Sequence, residues 1–346
     1  MPRSRGQHSH TARPTVRQLE ANRPHPPQVD AVDLSQLEHL PTSYQELDTY
    51  YNQLREAQPF KLRLETLKRI ERVTNRPLLC YVTKTRDIPQ GIASFIDDSD
   101  LIGFSDLINS INGDSVDLYI VSNGGSAEAT ERIVRMLRER FHSIRFILPS
   151  NAYSAATLLS FCGEEIIMGP QSTLGPIDPQ LNGIPARAIL RAFETLQKTL
   201  ADEGPSALTA YMPLVMKYDL HILEMCRSME TFSKELARTW LSTYVFCCEE
   251  GDPAVSSVVD YFSDYDRHHT HGRSIGRAKA KELGLKITYV EDIPELDPLI
   301  LSLHNQYEIW FNKTAFYKNY ENAHGICWGR QAQQVSVQVP LMQPAL

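Results

Sequence analysis

From Pro77 to Pro170 the chain alternates short apolar runs with amphipathic segments, and this alternation constrains the fold more than any other feature. PLLCYVTK, VDLYIVS, SIRFILPS and EEIIMGP are too short and too uniformly apolar for surface helices, so they read as buried strands. SDLIGFSDLINSI, SAEATERIVRMLRERF and SAATLLSFC lie between them and carry apolar residues at helical spacing. Three consecutive strand-helix steps within about 90 residues predict an α/β fold with a largely parallel sheet.

The flanks divide the remainder. Residues 1–40 are rich in Pro, Arg, His and Gln, without hydrophobic periodicity, and read as a disordered tail. Residues 41–76 have a helical pattern and form a packing or oligomerisation segment. A domain spanning 77–300 holds the sheet, and 301–346 reads as an aromatic-rich helical extension. No apolar run reaches the roughly 18–20 residues needed to span a bilayer, and the basic N-terminus lacks a following apolar region, so a cytoplasmic address is expected. The net charge of −7 argues against a nucleic-acid partner. The six cysteines form no CxxC pair and read as reduced thiols.

Two strand-turn-helix elements carry candidate chemistry. In VDLYIVSNGGSAEATERI, Gly124 and Gly125 close a buried strand ahead of a helix, and their amides are placed to receive a developing oxyanion. In FILPSNAYSAATLLSF, Ser154 sits where strand becomes helix, among small residues that admit a carbonyl. Taken singly, Ser154 reads as a helix N-cap and Gly124-Gly125 as a tight turn; taken together, they suggest a nucleophile and its oxyanion hole.

The segments DLYIVSNGG, AYSAATLL and LGPIDPQ, in that order, resemble the serine dehydrogenase proteinase family, relatives of the Clp peptidases and signal peptide peptidase A. The resemblance runs from Pro77 to Ile287 and is most specific in STLGPIDPQ, Ser172 to Gln180. It implies a Clp/crotonase-like core and ATP-independent hydrolysis of peptide bonds through an acyl-enzyme on Ser154, with Gly124 and Gly125 as the oxyanion hole. Crotonase-fold proteins generally assemble into rings, so a homo-oligomer is expected, with helices near 42–72 and 301–320 as interface candidates. One departure is Ala155-Ala156, where the family usually has Ala-Gly after the serine.

The activating base stays open in the sequence. The spacing at which Clp peptidases place a histidine is occupied here by Ile177-Asp178-Pro179, and Asp178 between two prolines reads as a residue that fixes its loop. Lys217, among apolar neighbours in YMPLVMKYDLHILEMC, fits a Ser-Lys dyad of the signal peptide peptidase type, because desolvation lowers an ammonium pKa. A snorkelling lysine fits the same pattern. His271, in RHHTHGRSIGRAKAKELGLKI, is the alternative base. The cluster of His268, His269 and His271 has no carboxylate at ligand spacing, so no metal is expected. No GxGxxG opens a βαβ unit, which argues against a nucleotide cofactor. The competing reading is a crotonase-fold acyl-CoA enzyme or an inactive scaffold; Glu128 is the carboxylate nearest the Gly-Gly turn, one turn into its helix.

Overall fold

The computed structural model describes residues 40–332 except 54–57, 217–218 and 250. The expected tail lies outside the described residues, apart from residue 40.

Every one of the four expected strands forms. β1 (Leu78–Thr83), β2 (Ser115–Val121), β3 (Ser143–Leu148) and β5 (Glu165–Met168) run parallel, with β10 (Ile287–Tyr289) beside β5. The sheet order is β10-β5-β3-β2-β1-β11-β12, and β11 (Phe316–Asn322) and β12 (Cys327–Gln331) add an antiparallel edge. Parallel strands need covered faces, and the alternation of side chains sorts one apolar set to each. Leu79, Leu118, Phe146 and Ile166 face α3 (Asp100–Asn109), α4 (Ala127–Arg140) and α9 (Pro253–Ser263) in one core. Leu78, Tyr119, Ile147 and Ile167 face α2 (Gln58–Thr74) and α12 (Leu296–Lys313) in the other.

α2 buries Leu67 and Ile70 against this second core, and α1 (Tyr44–Gln53) also packs on α12. The apolar stripe of α2 is therefore occupied within the chain. After the sheet comes the hairpin β7 (Gln180–Leu181) and β8 (Ile184–Pro185), then α6 (Ala186–Glu203), α7 (Leu208–Val215) and α8 (Leu220–Trp240).

The segment expected to be helical from residue 301 onward is so only to Lys313; Phe316–Gln331 forms the edge hairpin. Its polar residues conceal the strand pattern because they are buried in pairs rather than solvated. Lys318 is fully buried, with its Nζ 2.9 Å from both oxygens of Asp100 and 3.2 Å from Asp97. The Tyr81 and Tyr320 hydroxyls also donate to Asp100. Arg63 Nε lies 2.9 Å from Glu321, which accepts further bonds from Tyr307 and Asn319. Buried charges persist only where such partners offset their desolvation.

Candidate active site

A second, smaller sheet positions the site. β4 (Asn151–Ala152) pairs in parallel with β6 (Thr173–Leu174), which pairs antiparallel with β9 (Ile275–Gly276). Ser154 follows β4, Asp178 follows β6, and His271 precedes β9. Three remote segments thus converge through a few ladder bonds.

Ser154 opens the short helix α5 (Ala155–Ser160) with φ 52° and ψ −119°. A positive φ at a non-glycine residue is strained and survives only where its surroundings enforce it. Here Thr157 enforces it: its hydroxyl donates to the Ala152 carbonyl at 2.7 Å and accepts the Gly175 amide at 3.0 Å, tying the serine turn to the Asp178 loop. The Tyr153 hydroxyl lies 2.9 Å from Ser274 Oγ, which links the same turn to the His271 loop. The Ser154 side chain makes no capping bond, whereas Ser126 caps α4 by accepting the Ala129 amide at 3.0 Å. The N-cap reading thus describes Ser126 and leaves the Ser154 hydroxyl without a structural task.

The Asp178 loop is pinned on both sides. The Ile177 amide donates to Phe262 O at 2.8 Å, and Ser233 Oγ donates to Ile177 O at 2.8 Å. Asp178, only 2% exposed, receives His271 Nδ1 at 2.9 Å through Oδ1, while its Oδ2 is buried with no partner among the described residues. Because a carboxylate only accepts, the bond places a proton on Nδ1. Glu230 on α8 is raised above the usual carboxylate range, chiefly by burial, with like charge on Glu194 and Asp178 adding to it against Arg187 and Lys234.

Ser154, His271, Gly125 and Glu128 line one cleft of about 340 Å³, walled by Leu158, Ile177, Met229 and Phe232. Glu128 accepts the Ser126 hydroxyl at 2.8 Å. Lys217 lies outside the described residues.

The two glycines do different things. The Gly124 amide donates to Ser122 Oγ at 3.2 Å, so it is already engaged. At Gly124 (φ +99°) a Cβ would stand 2.6 Å from Ser154 Cβ and from Tyr153 O, so glycine here permits the approach of the two turns. Gly125 (φ +150°) sits against Ile96, whose backbone a Cβ would meet at 2.2 Å, and its carbonyl neighbours are bridged: the Ile96 amide donates to Gly124 O and the Ser126 amide to Ile96 O. The amides of Gly125 and Ala155 have no hydrogen-bond acceptor among the described residues. Ala155 was not singled out from the sequence; its signal is its position, the first helical residue after the serine, whose N–H has no intrahelical partner.

No helix among the described residues is long and apolar enough to cross a membrane, and no group of three or more His, Cys, Asp or Glu among them could hold a metal.

A parallel α/β core presenting a strained serine in one cleft with a histidine-carboxylate pair is an arrangement that serine hydrolases built on strand-to-helix turns also use. Residues 49–209 match the family model described as ClpP-like SDH-type serine proteinase. Ser154 and Asp178 fall within the match; His271 falls beyond it. Two uncharacterized proteins of Methanocaldococcus jannaschii, MJ1495 and MJ0137, are each 29% identical over 191 residues, 55% of this chain. The chain spans less than two thirds of these curated relatives, 57% and 59% of their lengths. Among solved structures, a mutant of the 1510-N membrane-bound stomatin-specific protease is 18% identical with a TM-score of 0.34, covering 58% of this chain and 78% of that one. A ClpP1 mutant from Listeria monocytogenes is 13% identical with a TM-score of 0.34, covering 64% and 96%.

Proposed function

We propose that the chain is a serine peptidase in which Ser154 is the nucleophile, His271 the general base and Asp178 the residue that orients the base. The observation that carries this reading is the His271–Asp178 bond of 2.9 Å on the wall of the cleft that holds the Ser154 hydroxyl. It favours His271 over Lys217, the partner that a Ser-Lys dyad would need.

In this mechanism Ser154 Oγ attacks the peptide carbonyl carbon while His271 Nε2 takes its proton. The resulting imidazolium donates through Nδ1 to Asp178, whose buried carboxylate stabilises it. Negative charge develops on the carbonyl oxygen, and the Gly125 and Ala155 amides are its donors; such donors are typically worth roughly 3–4 kcal/mol each. His271 then gives the proton to the leaving amine, the C–N bond breaks, and water hydrolyses the Ser154 ester by the same proton path in reverse. Leu158, Ile177, Met229 and Phe232 suit an apolar side chain flanking the scissile bond.

The test uses Ser154→Ala with casein or a peptide substrate and an activated fluorophosphonate probe. Both cleavage and labelling should disappear. Labelling retained at the wild-type level would overturn the assignment of the nucleophile.

A further inference from the structure

A second cleft, of about 340 Å³, lies between the loop after β1 and helix α12. Lys84 and Arg86 come from the loop, and His304, Glu308 and Phe311 from the helix; Tyr44 of α1 completes the wall. The volume falls at the low end for small-ligand sites, which run from roughly 300 to 1,000 Å³.

Its charges are apposed without touching. Arg86 and Lys84 are near enough for their charges to oppose the rise that burial imposes on the Glu308 carboxyl. Yet neither Arg86 nor Glu308 makes a hydrogen bond or ion pair among the described residues. Lys84 is held by a bond from its Nζ to the Phe311 carbonyl at 3.2 Å, so it does not swing across to Glu308. His304 is 4 residues before Glu308 on the helix; burial and the Arg86 charge lower its pKa to about 4, so at neutral pH it adds polarity without a third positive charge. Asp87 follows Arg86 and contributes a second carboxylate to the lining. Arg86 is exposed and Glu308 half-buried, so opposite charges stand open across the cleft, and a ligand that carries both complementary charges would make both contacts at once.

We propose that this cleft binds a small zwitterion of the α-amino-acid type, its carboxylate on Arg86 and Lys84 and its ammonium on Glu308. The loop that carries Arg86 also touches the candidate active site, because Asn123 Nδ2 donates to Thr85 O at 3.0 Å and Asn123 lines the catalytic cleft. Free amino acids and short peptides with both termini are also what peptide hydrolysis releases. The binding claim stands apart from that activity and is measured with the nucleophile removed.

The experiment is isothermal titration calorimetry of the full chain carrying Ser154→Ala with L-leucine, N-acetyl-L-leucine and L-leucinamide. L-leucine should bind, and each blocked analogue should bind at least about tenfold more weakly, since each loses one of the two charged contacts. Arg86→Gln should abolish the advantage of a free carboxylate and Glu308→Gln that of a free ammonium, with thermal unfolding of both variants checked against the parent. No binding of L-leucine at about 10 mM, equal binding of the blocked analogues, or binding that survives both substitutions would each overturn the site.

Discussion

His271 Nδ1 and Asp178 Oδ1 lie 2.9 Å apart although the two residues are 93 positions apart in the chain. The bond joins a loop before β9 to a loop after β6, and the antiparallel pairing of those strands, Leu174 with Ile275, brings them together. Asp178→Asn keeps the shape of the side chain but lets its amide donate to Nδ1, which favours the wrong tautomer of His271. In a Ser-His-Asp site that change lowers kcat by about 10⁴. We expect a loss of roughly 10³–10⁴ for Asp178→Asn and a comparable one for His271→Ala, read as kcat on an ester or peptide substrate. Lys217→Ala should leave kcat within about threefold of wild type. The reverse pattern, with Lys217→Ala inactive and His271→Ala active, would refute the triad and support a dyad.

Gly125→Ala should separate geometry from chemistry. An added Cβ would meet the Ile96 nitrogen at 2.4 Å and its oxygen at 2.2 Å, and backbone atoms cannot rotate aside as a side chain can. The turn must shift, and overpacking of this kind costs typically 1–3 kcal/mol of stability. Since the Gly125 amide is one of two proposed oxyanion donors, kcat should also fall by about 10²–10³. Urea unfolding and steady-state kinetics on the same preparation measure the two effects. Unchanged kcat in a folded variant would remove Gly125 from the oxyanion hole.

The sheet was legible from sequence because β1, β2, β3 and β5 are buried on both faces and therefore read as continuous apolar runs between helices. Gly124-Gly125 and Ser154 were legible for a related reason: small residues at strand ends mark turns where backbones approach closely. The His271–Asp178 pair was not, because His271 reaches Asp178 through a three-strand sheet in which each of β4, β6 and β9 has only two residues. Strands that short leave no periodicity to detect. Likewise Lys318 and Glu321 interrupt the apolar pattern of β11, which therefore reads as part of a helical extension; only the positions of Asp100 and Arg63, more than 200 residues earlier, show that both charges are matched. Gly124 was assigned an oxyanion role on its residue type, yet its amide donates to Ser122 Oγ, a contact that depends on the curl of the turn.

Lys318 offers a test of that buried network. Lys318→Met leaves Asp100 fully buried, with the Tyr81 and Tyr320 hydroxyls as its remaining side-chain partners among the described residues, and breaking one side of a buried pair costs about 3–5 kcal/mol. Replacing both charges, as Lys318→Met with Asp100→Asn, should recover part of the loss because the fully buried carboxylate is then gone and only the partly exposed Asp97 has lost its lysine partner. Urea midpoints of the two variants check this. A double variant less stable than Lys318→Met alone would show that Asp100 is held by something other than the lysine.

Acid should destabilise the fold through His304. Burial, reinforced by the Arg86 charge, lowers His304 from its ordinary 6.5 to about 4, and its Nδ1 is buried without a partner among the described residues. A histidine whose folded pKa is depressed contributes stability that is present above its unfolded pKa and is lost as pH falls toward the folded value, because the unfolded chain takes up the proton first. Between pH 6.5 and 4 the folded state should therefore lose up to about 3 kcal/mol through this residue, at 1.36 kcal/mol per pKa unit. His304→Gln cannot titrate, so its urea midpoint should fall less steeply than wild type across that window, while the two curves run parallel above pH 7. Parallel curves throughout would mean that His304 is accessible to protons in the folded protein. The same titration bears on the second cleft, since protonating His304 would place a third positive charge beside Lys84 and Arg86 and weaken its hold on an ammonium group.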